Sequence, residues 1–343
     1  MGIILAIIIF SIIIIIHEFG HFLLAKQHGI TVTEFAIGMG PKLLSVKKGD
    51  TVYALKMLPF GGSCMMLGED EDAPEEGSFT AKSVWARMSV VLAGPIFNFL
   101  LAMIFAMIII FNVGFNSGVL TEVEEGSPAA EAGLMAGDEI IKIDNTRIHM
   151  FKELSMYMLL NPGQTSYDMT YVRDGQEHTV TMTPFYDNTT GSYRFGIGST
   201  AQKASFAELF KYGFYEIKYN ISLVVKSLGM LVTGNVSKDD IAGPVGMVNI
   251  IDDNYQEAKT YGFMSVFLTM SQLIVILSAN LGVMNLLPIP ALDGGRFLFL
   301  IVEAIKGKPL NREREGVINL VGFALLMVIM VLVLFNDISK LFT

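Results

Sequence analysis

The sequence predicts a polytopic α-helical membrane protein with four transmembrane helices, a short β-structured loop and an inserted extracytoplasmic module of mixed α/β type. Three observations predict it. Mean hydropathy is +0.52, and 52% of the 343 residues are apolar against 17% charged, more hydrophobic than a soluble chain of this size. Stretches at about 3–25, 88–112, 262–287 and 316–335 are long and apolar enough to cross about 30 Å of hydrocarbon, the third carrying polar residues late in its course. Between the second and third spans the pattern changes to short runs punctuated by glycine and turn residues.

The first stretch lacks a basic n-region and a small-residue cleavage site after Ile16, so it is expected to stay attached as a span. The Gly-rich segment 30–68 follows, with alternation over Thr51–Met57 and the pair Gly61-Gly62, and reads as a β-structured loop. An acidic connection at 69–77 leads to the second span, closing an N-terminal membrane core at 1–112.

Residues 115–186 read as the inserted module. Val119–Val123 suits a strand; Ser127-Pro128 and Gly133 supply an N-cap, an N1 proline and a C-terminal glycine for a short helix. Glu139–Ile143 is a second strand, Asp144-Asn145 a turn and 150–160 a helix. Strands at 165–172 and 176–183 flank the hairpin turn Arg173-Asp174-Gly175. In the connecting segment 187–261, Phe206, Phe210, Phe214, Ile217, Ile221 and Val224 recur every three or four residues, predicting an amphipathic helix at about 204–232. Lys211, Glu216, Lys218 and Lys226 argue against spanning and for an interfacial helix on the outer leaflet. Residues 262–343 form the C-terminal membrane core.

Charge sets orientation. Lys42, Lys47, Lys48 and Lys56 lie between the first two spans, and Arg296, Lys306, Lys308 and Arg314 between the last two, whereas residues 1–16 carry no lysine or arginine. The positive-inside rule therefore puts both of those loops in the cytoplasm and both termini and the inserted module outside. Residues 113–200 hold twelve Asp/Glu against five Lys/Arg, a balance of −7. No basic surface points to nucleic acid, and the single cysteine, Cys64, excludes an internal disulfide.

The chemistry-bearing sequence is His17-Glu18-Phe19-Gly20-His21, inside the first span. Residues four apart lie about 40° apart round a helix, so the two imidazoles converge on one point where a zinc ion can bind, with Glu18 able to take a proton from water there. Ionisable groups following Ile12–Ile16 are costly in hydrocarbon, about 2.5–3.5 kcal/mol for each charged residue at the midplane, which favours function over a chance pattern. At 1.5 Å per residue His17 lies about 21 Å beyond Ile3, nearer the cytoplasmic face.

Zinc needs a further protein ligand. His28 precedes Gly29 and reads as a helix end; His149 and His178 fall in the inserted module. Asp293 is the strongest candidate, following a segment in which Pro288 and Pro290 break the third helix. Spacing alone leaves two readings of Asp293 open, a metal ligand or the N-cap of a helix at 295–305. An aspartyl dyad lacks a second intramembrane aspartate.

His17-Glu18-Phe19-Gly20-His21 combined with Asn285-x-x-Pro288-x-Pro290-x-Leu292-Asp293-Gly294 resembles the site-2 protease family of intramembrane zinc metalloproteases, especially the bacterial regulator-of-sigma-E-type members. Asn280-Leu281-Gly282, Gly94-Pro95-Ile96-Phe97-Asn98 and Phe335-Asn336-Asp337 extend the resemblance over nearly the whole chain. Gly126-Ser127-Pro128-Ala129-Ala130-Glu131-Ala132-Gly133-Leu134 with Gly137-Asp138-Glu139-Ile140-Ile141 resembles a bacterial PDZ domain, and a single copy looks more like Gram-positive members.

The family resemblance implies Zn2+ held by His17, His21 and Asp293, Glu18 as catalytic acid/base, and a membrane-re-entrant β-loop at about 33–68. It implies that Asn280 and Asn285 hold the substrate segment, against a rival role in helix packing. It also implies residence in the bacterial plasma membrane and single-span membrane substrates, such as anti-sigma factors or signal-peptide remnants. The PDZ-like domain would bind C-termini or act as a size filter. A catalytically inactive scaffold presenting that domain is the alternative from another class, and the intact Glu18 argues against it.

Overall fold

The computed structural model describes residues 1–69, 75–161, 164–189, 191–234 and 242–340, so most of the acidic connection lies outside the described residues. The chain divides into two units, 1–105 with 227–343, and 106–226. In chain order the elements are α1 (Gly2–Gln27), β1 (Val32–Lys48), β2 (Thr51–Met66) and α2 (Val84–Val113). There follow β3 (Glu122–Val123), α3 (Pro128–Glu131), β4 (Glu139–Ile143), β5 (Thr146–Arg147), α4 (Lys152–Leu160), β6 (Tyr167–Arg173), β7 (Gln176–Met182), β8 (Phe185–Asp187), β9 (Ser192–Arg194), β10 (Ile197–Gly198) and α5 (Phe206–Val232). The chain ends with α6 (Pro244–Lys259), α7 (Phe263–Asn285), α8 (Asp293–Lys306) and α9 (Arg312–Lys340).

Among the described residues, four helices are long and apolar enough to cross a membrane: α1, α2, α7 and, from Glu313, α9. On α1 the inward residues Ala6, Ile9, Ile13, His17, Gly20 and His21 recur every three or four positions, one stripe of an otherwise isoleucine-rich cylinder. Ile3, Ile4 and Ile8 face outward, as lipid contact requires. The stripe packs on Leu101 of α2, Ile251 of α6, and Ile274 and Leu277 of α7. Small residues bring these backbones close: a Cβ on Gly20 would stand 2.5 Å from the Ala93 carbonyl oxygen, and one on Gly282 would stand 2.7 Å from the Phe99 ring.

Helix α6 is absent from the sequence expectation. Ile251 is fully buried in the core just described. The N–H groups of Gly243 and Gly246 at its start each donate at 2.9 Å to the Asp337 carboxylate of α9, an N-terminal cap supplied from another helix. Gly2 N–H donates to Asp252 Oδ1 at 2.7 Å, fixing α6 to the start of α1.

Strands β1 and β2 form an antiparallel hairpin from Val32↔Met66 to Lys48↔Thr51, with register shifts through its first half. Gly38, at φ +85°, is one cause: a Cβ there would stand 2.4 Å from the Leu58 carbonyl oxygen. Buried Glu34 accepts from Lys42 at 2.5 Å and Lys56 at 2.7 Å. Phe22 of α1 packs its ring on Phe35 and Tyr53, joining hairpin to helix.

The inserted unit centres on a four-stranded antiparallel sheet of order β5-β4-β6-β7. Leu120, Ile140, Ile143, Leu154, Tyr167 and Met169 fill its core. Ser127 caps α3 by accepting from Ala130 N–H, with Pro128 at the first helical position. Asp138, almost wholly buried, receives both Arg173 Nε and Nη2 at 2.7 Å. Strand β10 pairs with β3 through Ile197↔Val123, and Phe115 bridges Gln202. The edge next to the module's first strand is thus supplied from beyond residue 186, and the 115–186 span read from sequence omits it. Tyr212 of α5 stacks on Phe115 at 3.7 Å, and Glu216 takes Lys152 at 2.5 Å.

Candidate metal centre

One turn of α1 separates His17 from His21, and their ring centroids lie 4.8 Å apart. The third group arrives from far along the chain. After α7 ends at Asn285, residues 286–292 turn back and α8 begins at Asp293 itself. The turn is tight because its glycines have no Cβ: one on Gly294 would lie 2.2 Å from Leu287 O, and one on Gly295 would lie 2.3 Å from Ile289 O. The N-cap position belongs to Leu292, with no side-chain cap, so Asp293 is not spent on capping.

Asp293 Oδ2 stands 3.1 Å from His17 Nε2 and 3.5 Å from His21 Nε2, and the two Nε2 atoms are 3.2 Å apart. Both Nδ1 atoms meet polar partners on the far sides of the rings. His21 Nδ1–H donates to the Val90 carbonyl at 2.8 Å, so that in the neutral ring Nε2 carries the lone pair. The Asn98 side-chain amide lies 3.1 Å from His17 Nδ1, and its Oδ1 is otherwise a buried acceptor without a donor. Turned by a half-turn, which exchanges nitrogen and oxygen without changing shape, that amide would accept from His17 Nδ1–H at its Oδ1 and leave Nε2 as the ring's lone-pair nitrogen. Asp293 Oδ2 is likewise buried with no donor. One potential ligand atom from each of His17, His21 and Asp293 lies within 4.8 Å of the others, and with both Nε2 atoms deprotonated they would repel one another until a cation joined them. Two imidazole nitrogens and a carboxylate oxygen are a donor set that fits zinc.

Gly94 of α2 forms the wall behind the rings. A Cβ there would lie 2.4 Å from His21 Nε2 and 2.7 Å from His17 Cε1 and Nε2. Glu18, about 100° round α1 from His17, lies against β2, where a Cβ on Gly62 would be 3.2 Å from Glu18 Cγ. Asn285 reaches the centre, its Nδ2 3.4 Å from His17 Nε2. Asn280, half-buried five residues earlier on α7, is about 140° round that helix from Asn285, so the two asparagines do not face one point. His28 is apart from the centre, capping α1 and meeting Ser89 Oγ at 2.8 Å.

Gly94 and Asn98 enter the sequence reading only within the Gly94-Pro95-Ile96-Phe97-Asn98 resemblance, with no role at the metal, and the Val90 carbonyl does not enter it. Asn98 had a signal, a carboxamide in the middle of an apolar span; the Val90 carbonyl had none.

The sequence matches Peptidase family M50 over residues 5–329. It is similar to a protein of Clostridium acetobutylicum named as a candidate zinc metalloprotease, 39% identical over 338 residues that cover 98% of this chain and 97% of that one. It is also similar to the regulator of sigma-W protease RasP of Bacillus subtilis, 32% identical over 422 residues covering 98% of each chain. Among solved structures, the PDZ domain of an SdrC-like protein from Listeria monocytogenes aligns with 25% of this chain and 90% of its own, at 20% identity and a TM-score of 0.22.

Proposed function

The chain belongs to peptidase family M50, and from that membership we propose that His17, His21 and Asp293 are its zinc ligands and Glu18 its proton carrier. The protein is a zinc-dependent intramembrane protease, and the sequence motifs of its inserted unit support a PDZ-like reading of that unit. The observation that carries the assignment is the convergence of one potential ligand atom from each of His17, His21 and Asp293 within 4.8 Å.

Bound zinc supplies Lewis acidity towards the scissile carbonyl. Glu18 takes the proton of the attacking water and returns it to the leaving amine. Asn285 lies close enough to His17 to hold a freed backbone group of the substrate beside the donor set. Asn280, five residues before Asn285 and on a different side of α7, would engage the substrate segment at a separate point. A helical substrate hides its amides in its own hydrogen bonds, so it must unwind before hydrolysis. The β1–β2 hairpin, lying against Glu18 through Gly62, provides strand edges with which an unwound segment pairs.

The basic residues of the loops at 26–87 and 288–314 support a cytoplasmic placement for both. Both termini and residues 115–186 then lie outside, and the site sits towards the cytoplasmic side of a bacterial plasma membrane. Single-span membrane proteins, anti-sigma factors among them, are the substrates this reading favours, in line with the name of the Bacillus subtilis relative. Nothing in the described residues favours the inactive scaffold, since Glu18 and the donor set are intact. Purified enzyme in detergent should contain stoichiometric zinc and cleave such a helix. His17→Ala and Asp293→Ala should lose the metal and the activity together. Full zinc content in Asp293→Ala would refute the ligand assignment.

A further inference from the structure

The segment that delivers Asp293 is held in a conformation its own sequence disfavours. Ala291 has φ +74°, the left-handed region in which a β-carbon crowds the backbone and which alanine rarely adopts. Pro290 on one side and the α8 start on the other leave little freedom, since Gly295 already touches Ile289 O. Such a conformation persists where the surroundings over-determine it.

Two residues of α9, three apart on one face, form those surroundings. Asn319 Oδ1 accepts the Ala291 N–H at 3.3 Å. Gly322, buried, lies flush with Pro290: a Cβ would stand 2.5 Å from Pro290 Cβ and 2.7 Å from its carbonyl oxygen. An asparagine in an apolar spanning helix is costly without a purpose, and here its carbonyl meets a strained turn two residues before Asp293. Rotation about the Ala291 backbone swings Asp293 as a whole, while its Oδ2 has to meet two Nε2 atoms at 3.1 and 3.5 Å.

We propose that Asn319 is a positioning residue for the metal centre, holding Ala291 in its left-handed turn so that the Asp293 carboxylate completes the donor set. The inference rests on the reading of Asp293 as a zinc ligand. Its bland rival is that Asn319 only satisfies a polar group where α9 packs.

The test uses the full-length enzyme in detergent, with zinc affinity from chelator competition, the visible spectrum of the cobalt(II)-substituted protein, and kcat and KM on one helical substrate. Asn319→Leu should weaken zinc binding by about 10–100-fold, alter the cobalt spectrum and lower kcat with KM little changed. Asn319→Ala, which removes the acceptor without adding bulk, should do the same. Adding Ala291→Gly, which adopts the left-handed turn without help, should restore most of the affinity and the spectrum. Wild-type zinc affinity and cobalt spectrum in Asn319→Ala, even with a lowered Tm, would leave only the packing role and overturn the inference. Asp293→Ala, run alongside, separates the two claims: if it retains zinc, the ligand reading fails; if it loses zinc while Asn319→Ala does not, only the positioning claim fails.

Discussion

Replacing Gly94 by alanine puts a methyl carbon where two imidazoles already stand. That carbon would lie 2.4 Å from His21 Nε2 and 2.7 Å from His17 Nε2, whereas ordinary contact begins near 3.4 Å. One ring or the α2 backbone must therefore give way by about 1 Å at the proposed ligand nitrogens. Overpacking of this kind typically costs about 1–3 kcal/mol of stability, but a misplacement of about 1 Å among reacting groups costs about 100-fold in rate. Gly94→Ala should therefore fold, melt a few degrees lower, bind zinc at least tenfold more weakly by chelator competition, and cleave a helical substrate about 100-fold more slowly at saturating zinc. The discriminating result is the zinc affinity. If Gly94→Ala binds zinc as tightly as the unmodified enzyme, the rings are not held against α2 as described, and the convergence of donors loses its geometric basis.

Glu18→Gln should retain full zinc while losing about 10²–10⁴-fold in kcat, the usual contribution of a proton carrier; loss of zinc instead would make Glu18 a ligand. Asn98→Leu removes the partner of His17 Nδ1 and should weaken zinc by about 10–100-fold, read by the same competition; unchanged affinity would remove Asn98 from the site. In the inserted unit, burial would raise the Asp138 pKa, but the Arg173 guanidinium and the Met135 N–H outweigh it and hold the carboxyl below its ordinary value. The stabilisation is thus fully present above the unfolded-state value of about 3.9 and lost as pH falls through the lower folded value. Tm measured from about pH 6 down to pH 3 should fall less in Asp138→Asn than in the unmodified protein, and equal slopes would exclude this pair as a source of acid sensitivity.

The four spans are legible because hydrocarbon imposes a length and a composition that few other environments require. His17 and His21 are legible because their spacing is a property of one helix. Asp293 was only half legible: spacing left it open as an N-cap, and only the structure shows the N-cap at Leu292 and the carbonyls that crowd Gly294 and Gly295. Helix α6 escaped the sequence reading because its stability comes from elsewhere in the chain. Only Ile251 and Ala258 are fully buried, and its first turn is satisfied by Asp337, more than eighty residues away. The same holds for β10, too short to announce itself without β3, and for Ala291, whose left-handed turn no local pattern marks.

The donor set is divided between the two ends of the chain, and synthesis runs in one direction. His17 and His21 enter the membrane with the first helix, but the carboxylate opposite them is not translated until 272 residues after His21. At about 5–20 residues per second, the histidine pair waits on the order of tens of seconds for its third member. During that interval the growing polypeptide is itself a set of unassembled membrane helices. Until Asp293 is made and folded back, the proposed donor set is incomplete, and the growing chain meets no finished centre of its own.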